Sequence, residues 1–208
     1  MSRYEITKSL IEAWNYCYSC YESVAGEAYQ SFLATLRREK TELSENAQNG
    51  VNFENDVYAL VHGFPKSQDT PDNWMHGEML VAEELAGAEL QVKLKRELHC
   101  YGMDFLVVGV LDALRAGVIK DVKFSNTGFS SADLQGKYLD CSQHSAYFYL
   151  APEAYRFDYI ISDGEDKYIE SYYPHSTRPF PEIVEEFMRS LDDMGLMDVY
   201  KQYWQIKE

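Results

Sequence analysis

The sequence predicts a single mixed α/β domain. The spacing of apolar residues is helical up to about residue 88, becomes that of extended strands, and then alternates between the two. The resulting order of helices, three strands, helix, two strands and helix is that of a mixed α/β domain. Of the 208 residues 46% are hydrophobic and 14% aromatic, which is enough for a sizeable core. We therefore expect one domain over 1–208, with N-terminal helices over 4–88 and a core over 89–175.

The N-terminal part of the chain is predicted to be helical. Apolar residues recur at intervals of three and four over 8–36, which is typical of one or two helices. A second helical region is expected from Ser44 to Val61, followed by a polar loop over 66–73. Met75–Ala86 has the composition of a helix and stops at Gly87, a residue that commonly ends helices.

Strands and helices then alternate to the end of the chain. Three consecutive strands are predicted over Leu90–Tyr101, Phe105–Leu114 and Gly117–Phe124, with tight connections between them. The remaining predicted elements are a helix over Ser131–Leu150 capped by Ser130 or Ser131, strands over Tyr155–Ser162 and Lys167–Tyr173 joined by an Asp163-Gly164 turn, an amphipathic helix from Pro181 to about Gly195, and a helical tail to about Trp204.

The overall charge argues against binding of nucleic acid by bulk electrostatics. The chain has 34 acidic and 19 basic residues, a net charge of −15. The segment 91–137 differs, because its seven basic and five acidic residues give it a net charge of +2. The rest of the chain therefore has a net charge of −17. A local site for an anionic ligand is therefore compatible with the sequence.

No membrane segment or metal-binding cysteine framework is expected. No run of about twenty apolar residues exists, and the first five residues lack the layout of a signal peptide, so we expect a cytoplasmic protein without a membrane partner. Cys17 and Cys20 have the two-residue gap that favours metal ligation. Because Cys100 and Cys141 do not form a second such pair, free thiols are favoured and no iron–sulfur cluster is expected.

The residues with the clearest chemical pattern lie on the second and third predicted strands. Asp121 and Lys123 are two apart in a strand and share a face, whereas Val122 points into the core. If the two strands form a hairpin, Asp112 lies beside Asp121. Two adjacent carboxylates raise each other's pKa and are most stable with a bound divalent cation such as Mg²⁺ or Mn²⁺. Taken singly, these residues favour a structural interpretation, in which Asp112 caps a turn and Asp121 and Lys123 form an exposed ion pair.

This pattern resembles the PD-(D/E)XK nuclease superfamily, in which an acid at a strand end is followed by acid-x-lysine on the next strand. Asp112 and Asp121-Val122-Lys123 match it, with aspartate at 121 where glutamate is commoner. Asn49–Glu54 looks like the helical glutamate motif of the phage and recombination exonuclease branch, and Gln143–Tyr147 looks like its Gln-x-x-x-Tyr motif. Together the motifs span about residues 8–173.

The resemblance implies a restriction-endonuclease-like catalytic core, with a central mixed β-sheet of about five strands flanked by helices. It implies a Mg²⁺- or Mn²⁺-dependent DNA exonuclease of phage or bacterial recombination and repair, located in the host cytoplasm if phage-encoded. Glu54, Asp112, Asp121 and the main-chain carbonyl of Val122 would bind metal, and Lys123 would orient the attacking water. Gln143 and Tyr147, four apart on one helical face, would position the substrate.

Partners and alternatives follow from the same resemblance. DNA ends or single strands are the expected ligands, with a single-strand annealing protein or a helicase as a protein partner. The sequence leaves open whether the chain forms a homo-oligomer and whether digestion runs 5′ to 3′ or 3′ to 5′. It also leaves open whether duplex or single strands are preferred and whether the substrate is DNA or RNA. The alternative function is a non-catalytic DNA-binding or protein-interaction module that retains the nuclease fold.

Overall fold

A single mixed β-sheet forms the centre of the protein. The computed structural model describes residues 3–67, 70–129 and 134–207. The six strands are β1 (Arg3–Thr7), β2 (Glu89–Cys100), β3 (Met103–Arg115), β4 (Val118–Phe124), β5 (Arg156–Ser162) and β6 (Lys167–Tyr172). β3 pairs with β2, β1 and β4, and the sheet continues from β4 through β5 to β6. The β1–β3 and β4–β5 pairs are parallel and the others antiparallel.

Helices pack on the sheet. Those whose bounds the described residues define are α1 (Lys8–Ser19), α2 (Ala25–Leu36), α3 (Glu45–Val61), α4 (Met75–Leu85), α5 (Gln143–Leu150), α6 (Phe180–Asp193) and α7 (Met197–Trp204). The side chains of Thr7 and Ser44 cap α1 and α3 by accepting backbone N–H bonds of 3.3 Å. Within the described ranges, no helix has the length and apolarity needed to cross a membrane.

The sheet lies between two layers of helices. Helices α1, α2, α5, α6 and α7 contribute to the larger hydrophobic core, and α3 and α4 contribute to a smaller one. Adjacent residues of β5 divide between the two, since Ile160 lies in the smaller core whereas Tyr159 and Ile161 lie in the larger. Side chains alternate across a strand, so the two cores occupy opposite faces of the sheet.

The predicted α/β class and the five predicted strands are confirmed, with strand ends within two residues of the prediction. The two hairpin connections of the three-strand unit are tight. Tyr101-Gly102 joins β2 to β3 and Ala116-Gly117 joins β3 to β4, and all four residues have positive φ. This backbone geometry is typical of the two-residue turns whose twist matches that of the flanking strands.

Two sequence-based predictions were wrong. The N-terminal region does not consist of helices alone, because Arg3–Thr7 forms a strand parallel to Asp104–Val108. The helix predicted over Ser131–Leu150 is interrupted: Leu134 is helical, but α5 begins only at Gln143, and the proposed cap at Ser130 or Ser131 lies outside the described residues. Turns occupy 135–140, where Gly136 has a φ of +77°. Tyr138 stacks there on Tyr159, with ring centroids 4.2 Å apart, instead of continuing a helical stripe.

Candidate active site

The candidate site lies where the sheet divides. β2 pairs along one edge of β3, and the other edge pairs first with β1, up to Val108, and then with β4, from Ala113. Residues 109–112 lie between these two partners. The carbonyl of Val110 instead accepts a hydrogen bond from the Tyr147 hydroxyl at 2.7 Å. The gap therefore leaves a short stretch of β3, which ends at Asp112, without a strand partner on this edge.

Asp112 closes this gap with its side chain. Its Oδ2 accepts a hydrogen bond from the backbone N–H of Val122 at 2.9 Å, which attaches β3 to β4 beyond the point where their ladder ends. The pKa of Asp112 lies well above the ordinary value, first because burial disfavours the charged form and then because the carboxylates of Asp121 and Glu54 are close. The three acids from three different elements therefore share one electrostatic environment.

Asp121 and Lys123 form an ion pair on β4, as their spacing predicts. The Asp121 side chain is 2% exposed and the Lys123 side chain 28% exposed, so solvent reaches the lysine. Burial alone would lower the pKa of Lys123, but the carboxylates of Asp121 and Asp112 outweigh this effect and raise it. The ammonium is therefore protonated at neutral pH and lies against the two aspartates.

Gln143 and Tyr147 support the site from beneath. Gln143 donates its amide to Asp121, and Tyr147 donates to Val110 as described; both side chains are buried. Helix α5 comes this close to β3 because position 109 is glycine: a Cβ there would lie 2.6 Å from the Leu150 side chain and 3.0 Å from the Tyr147 ring. Gln143 thus contacts Asp121 on β4 directly, and Tyr147 contacts the unpaired stretch of β3.

Glu54 approaches from α3, on the opposite side. Its Oε1 accepts a hydrogen bond of 2.7 Å from the hydroxyl of Tyr58, one helical turn later. Burial, followed by the charges of Asp112 and Glu54, raises the pKa of Tyr58, so its hydroxyl keeps its proton and acts as a donor. Gln91 of β2 in turn donates to the Tyr58 oxygen at 2.8 Å.

Two openings border these residues. A cleft of about 860 Å³ between α1, the segment before α5 and the start of α6 reaches Lys123 and Gln143. A smaller cavity of about 520 Å³ between the end of α3 and the start of β2 is lined by Tyr58 and Gln91. The larger cleft thus gives solvent access to Lys123, whereas the smaller cavity borders Tyr58 and Gln91 and none of the candidate acids.

The oxygen donors are of the type that a hard divalent cation binds, although they do not form a closed cage. Among the described residues, no group of three or more His, Cys, Asp or Glu side chains is arranged to hold a metal ion. Mg²⁺ needs fewer, because it retains several waters and is commonly bound by one or two carboxylates. Asp112 and Asp121 supply two, and a cation beside them would offset the repulsion that raises the pKa of Asp112.

Tyr58 and Gln91 are hydrogen-bond partners next to the candidate site that the sequence-based prediction missed. The spacing of four between Glu54 and Tyr58 was a usable signal, since side chains at i and i+4 meet on a helix. Nothing local in the sequence indicates Gln91, because its contact with Tyr58 spans 33 residues.

Comparison with known proteins identifies the fold. No protein-family model matches the chain, and no curated protein sequence matches it. The structure of the exonuclease LHK-Exo in complex with dAMP superposes with a TM-score of 0.54 at 13% sequence identity, over 95% of this chain and 91% of its own. The crystal structure of SSO0001 matches with a TM-score of 0.47 at 15% identity, over 92% of this chain and 75% of its own. The chain therefore has a nuclease-like α/β fold, shared over almost its full length with LHK-Exo.

Proposed function

We propose that the protein is a Mg²⁺- or Mn²⁺-dependent deoxyribonuclease of the PD-(D/E)XK type. The observation that carries this proposal is the meeting of side chains from α3, β3 and β4 at the point where β3 changes partner from β1 to β4. Asp112 bonds the backbone of Val122, Asp121 pairs with Lys123, and Glu54 approaches the same point from α3. A buried carboxyl whose pKa is raised, as that of Asp112 is, beside two further acids and a protonated lysine is typical of functional sites rather than of a structural core.

The residues have distinct roles in this proposal. Asp112, Asp121 and the carbonyl of Val122 would hold the cation, and Glu54 would add an oxygen donor from α3. When bound, the cation supplies a polarised phosphate and a water of lowered pKa. Lys123 is held by Asp121 at the solvent-facing side, where its ammonium can bind a phosphate oxygen. Gln143 orients the Asp121 carboxylate, and Tyr147 stabilises the unpaired stretch of β3.

The proposed substrate is DNA, which the nuclease-like fold and the resemblance described above support. LHK-Exo is an exonuclease solved with a bound nucleotide, which supports exonuclease action on DNA ends or single strands. The net charge of −15 disfavours tight non-specific binding of DNA. A role in recombination or repair beside a single-strand annealing protein or helicase is consistent with an enzyme that needs help in engaging DNA.

The test is digestion of 5′- and 3′-end-labelled linear duplex and single-stranded DNA with Mg²⁺ or Mn²⁺. We expect the wild-type chain to release labelled products, and Asp121→Asn and Lys123→Met to lose at least 100-fold in rate. Lys167→Met is the matched control, because Lys167 is also part-buried, at 24% side-chain exposure, and pairs with Glu84 away from the site. Intact DNA with both metals, or full activity in the two site variants, would overturn the proposal.

A non-catalytic DNA-binding or interaction module is the second candidate. It is favoured by one observation: both oxygens of Asp121 already have partners, Gln143 and Lys123, which leaves this carboxylate less free for a metal. Calorimetric titration separates the two functions. The nuclease binds Mn²⁺ in a manner that Asp112→Asn abolishes, whereas the module shows no such heat.

A further inference from the structure

Gln91 has an unusual backbone. Four non-glycine residues among those described have positive φ, namely Arg38, Gln91, Tyr101 and Ala116. Tyr101 and Ala116 lie in the hairpin turns, and Arg38 follows the end of α2. Gln91, with a φ of +53°, instead lies inside β2. This conformation is unfavourable for residues with a Cβ, and inside a strand it needs a compensating interaction.

The position of Gln91 in the sheet connects it with the site. Leu90 pairs with Ala113 and Val92 with Leu111, which places Gln91 opposite Asp112. The core packing changes at the same point, because Leu111 belongs to the larger core and Ala113 to the smaller. The irregularity in β2 is therefore next to the residue of β3 that turns its carboxylate towards β4.

The side chain of Gln91 starts a directed pair of hydrogen bonds. Gln91 Nε2 donates to the Tyr58 hydroxyl oxygen at 2.8 Å, and the Tyr58 hydroxyl donates its proton to Glu54 Oε1 at 2.7 Å. Because a hydroxyl has one proton, accepting from Gln91 directs that proton to Glu54. This relay, from Gln91 through Tyr58 to Glu54, ends at a carboxylate close enough to Asp112 to raise the pKa of Asp112.

We propose that Gln91 and Tyr58 are positioning residues that hold the Glu54 carboxylate towards Asp112, and that the strained backbone of Gln91 is kept for this purpose. The inference rests on the proposed function. Hydrogen-bond partners of metal-binding side chains fix their orientation, and their loss typically costs 10–100-fold in metal affinity or activity. Without Tyr58 the half-buried Glu54 side chain is free to rotate towards solvent.

The first experiment compares Tyr58→Phe with the wild-type chain. We expect Mn²⁺ affinity, measured by calorimetry, to fall at least 10-fold and kcat to fall with it, while the KM for DNA stays within about twofold. Tyr149→Phe is the control, because that hydroxyl also makes one hydrogen bond, to the Glu97 carbonyl at 2.6 Å, but outside the site. Tyr149→Phe should leave the Mn²⁺ affinity and kcat unchanged.

The second experiment separates positioning from stability. Gln91→Gly removes the amide but suits a φ of +53°, so it should weaken Mn²⁺ binding as Tyr58→Phe does, with an unchanged or higher Tm. A wild-type chain that binds Mn²⁺ and cuts DNA, together with a Tyr58→Phe variant indistinguishable from it, would overturn the relay alone. A wild-type chain that does neither would overturn the proposed function and the relay with it.

Discussion

A buried ion pair next to α3 offers a quantitative test of the structure. Lys66, in the loop after α3, has a side chain only 8% exposed, and its partner Glu78 on α4 is fully buried. The Lys66 Nζ lies 3.4 Å from Glu78 Oε2 and donates to the Pro71 carbonyl at 2.8 Å. Lys66→Met removes the charge, keeps most of the volume, and leaves Glu78 buried without its partner.

The expected cost is large for a single substitution. Removal of one partner from a buried ion pair destabilises a protein by about 3–5 kcal/mol, compared with at most about 1 kcal/mol for an exposed pair. For a chain of this size that corresponds to a Tm lowered by roughly 6–20 °C. Replacement of both residues, Lys66→Met with Glu78→Met, should recover most of the loss, because no unpaired charge then remains buried.

The pH dependence has a definite sign. Burial raises the pKa of Glu78, with Lys66 opposing the shift and Asp56 adding to it. Loss of Lys66 raises this pKa further, so the folded variant binds a proton that its unfolded chain releases above about pH 4.3. The penalty of Lys66→Met should therefore be smallest near pH 4 and grow as the pH rises to 7.

Urea denaturation of wild type, Lys66→Met and the double variant at pH 4.5, 5.5 and 7 measures these differences. Arg189→Met is the control, since Arg189 and Glu185 pair at 3.2 Å with side chains 63% and 51% exposed. It should cost less than about 1 kcal/mol. A cost for Lys66→Met below 1 kcal/mol, or one independent of pH, would refute the reasoning.

Three further predictions concern the site and its support. Gly109→Ala places a Cβ 2.6 Å from Leu150 and 3.0 Å from Tyr147, so we expect about 1–2 kcal/mol of destabilisation in thermal melts, part of which Leu150→Val should restore. Asp112→Asn removes a charge that burial and two neighbouring carboxylates disfavour. In EDTA this variant should raise the free energy of unfolding by about 1 kcal/mol, and with metal it should no longer cleave DNA. A destabilised variant would contradict this. Burial lowers the pKa of His144 to about 4, so the free energy of unfolding should fall by up to about 3 kcal/mol as the pH drops from 6.5 towards 4. In urea denaturation, His144→Asn should show a shallower fall over the same pH range.

The contacts among the candidate site residues were predictable where these residues belong to regular elements. Alternation along a strand placed Asp121 and Lys123 together, and the short hairpin between β3 and β4 brought Asp112 beside them. Helical spacing identified the faces of Glu54 and of Gln143 with Tyr147. The detailed partners were not predictable, because the bonds of Tyr147 to Val110 and of Gln143 to Asp121 depend on how closely α5 approaches the sheet.

The failures have a common physical cause. β1 is short and pairs with residues about one hundred positions away, and five residues with mixed burial give no periodic signal. In the predicted helix before Gln143, the spacing of Leu134, Tyr138 and Cys141 was helical, but stacking of Tyr138 on Tyr159 outweighed local propensity. Long-range packing decided both cases.

The sequence by itself determined the α/β class and the five strands of the core and singled out the candidate acids and the lysine, because these depend on periodicity and on turn residues within a few positions. Only the tertiary structure decided that β1 and β4 share one edge of β3, that the gap between them lies at Asp112, and that Gln91 reaches Glu54 through Tyr58. These features depend on contacts between distant segments, which are set by the packing of whole helices and strands and leave no local pattern in the sequence.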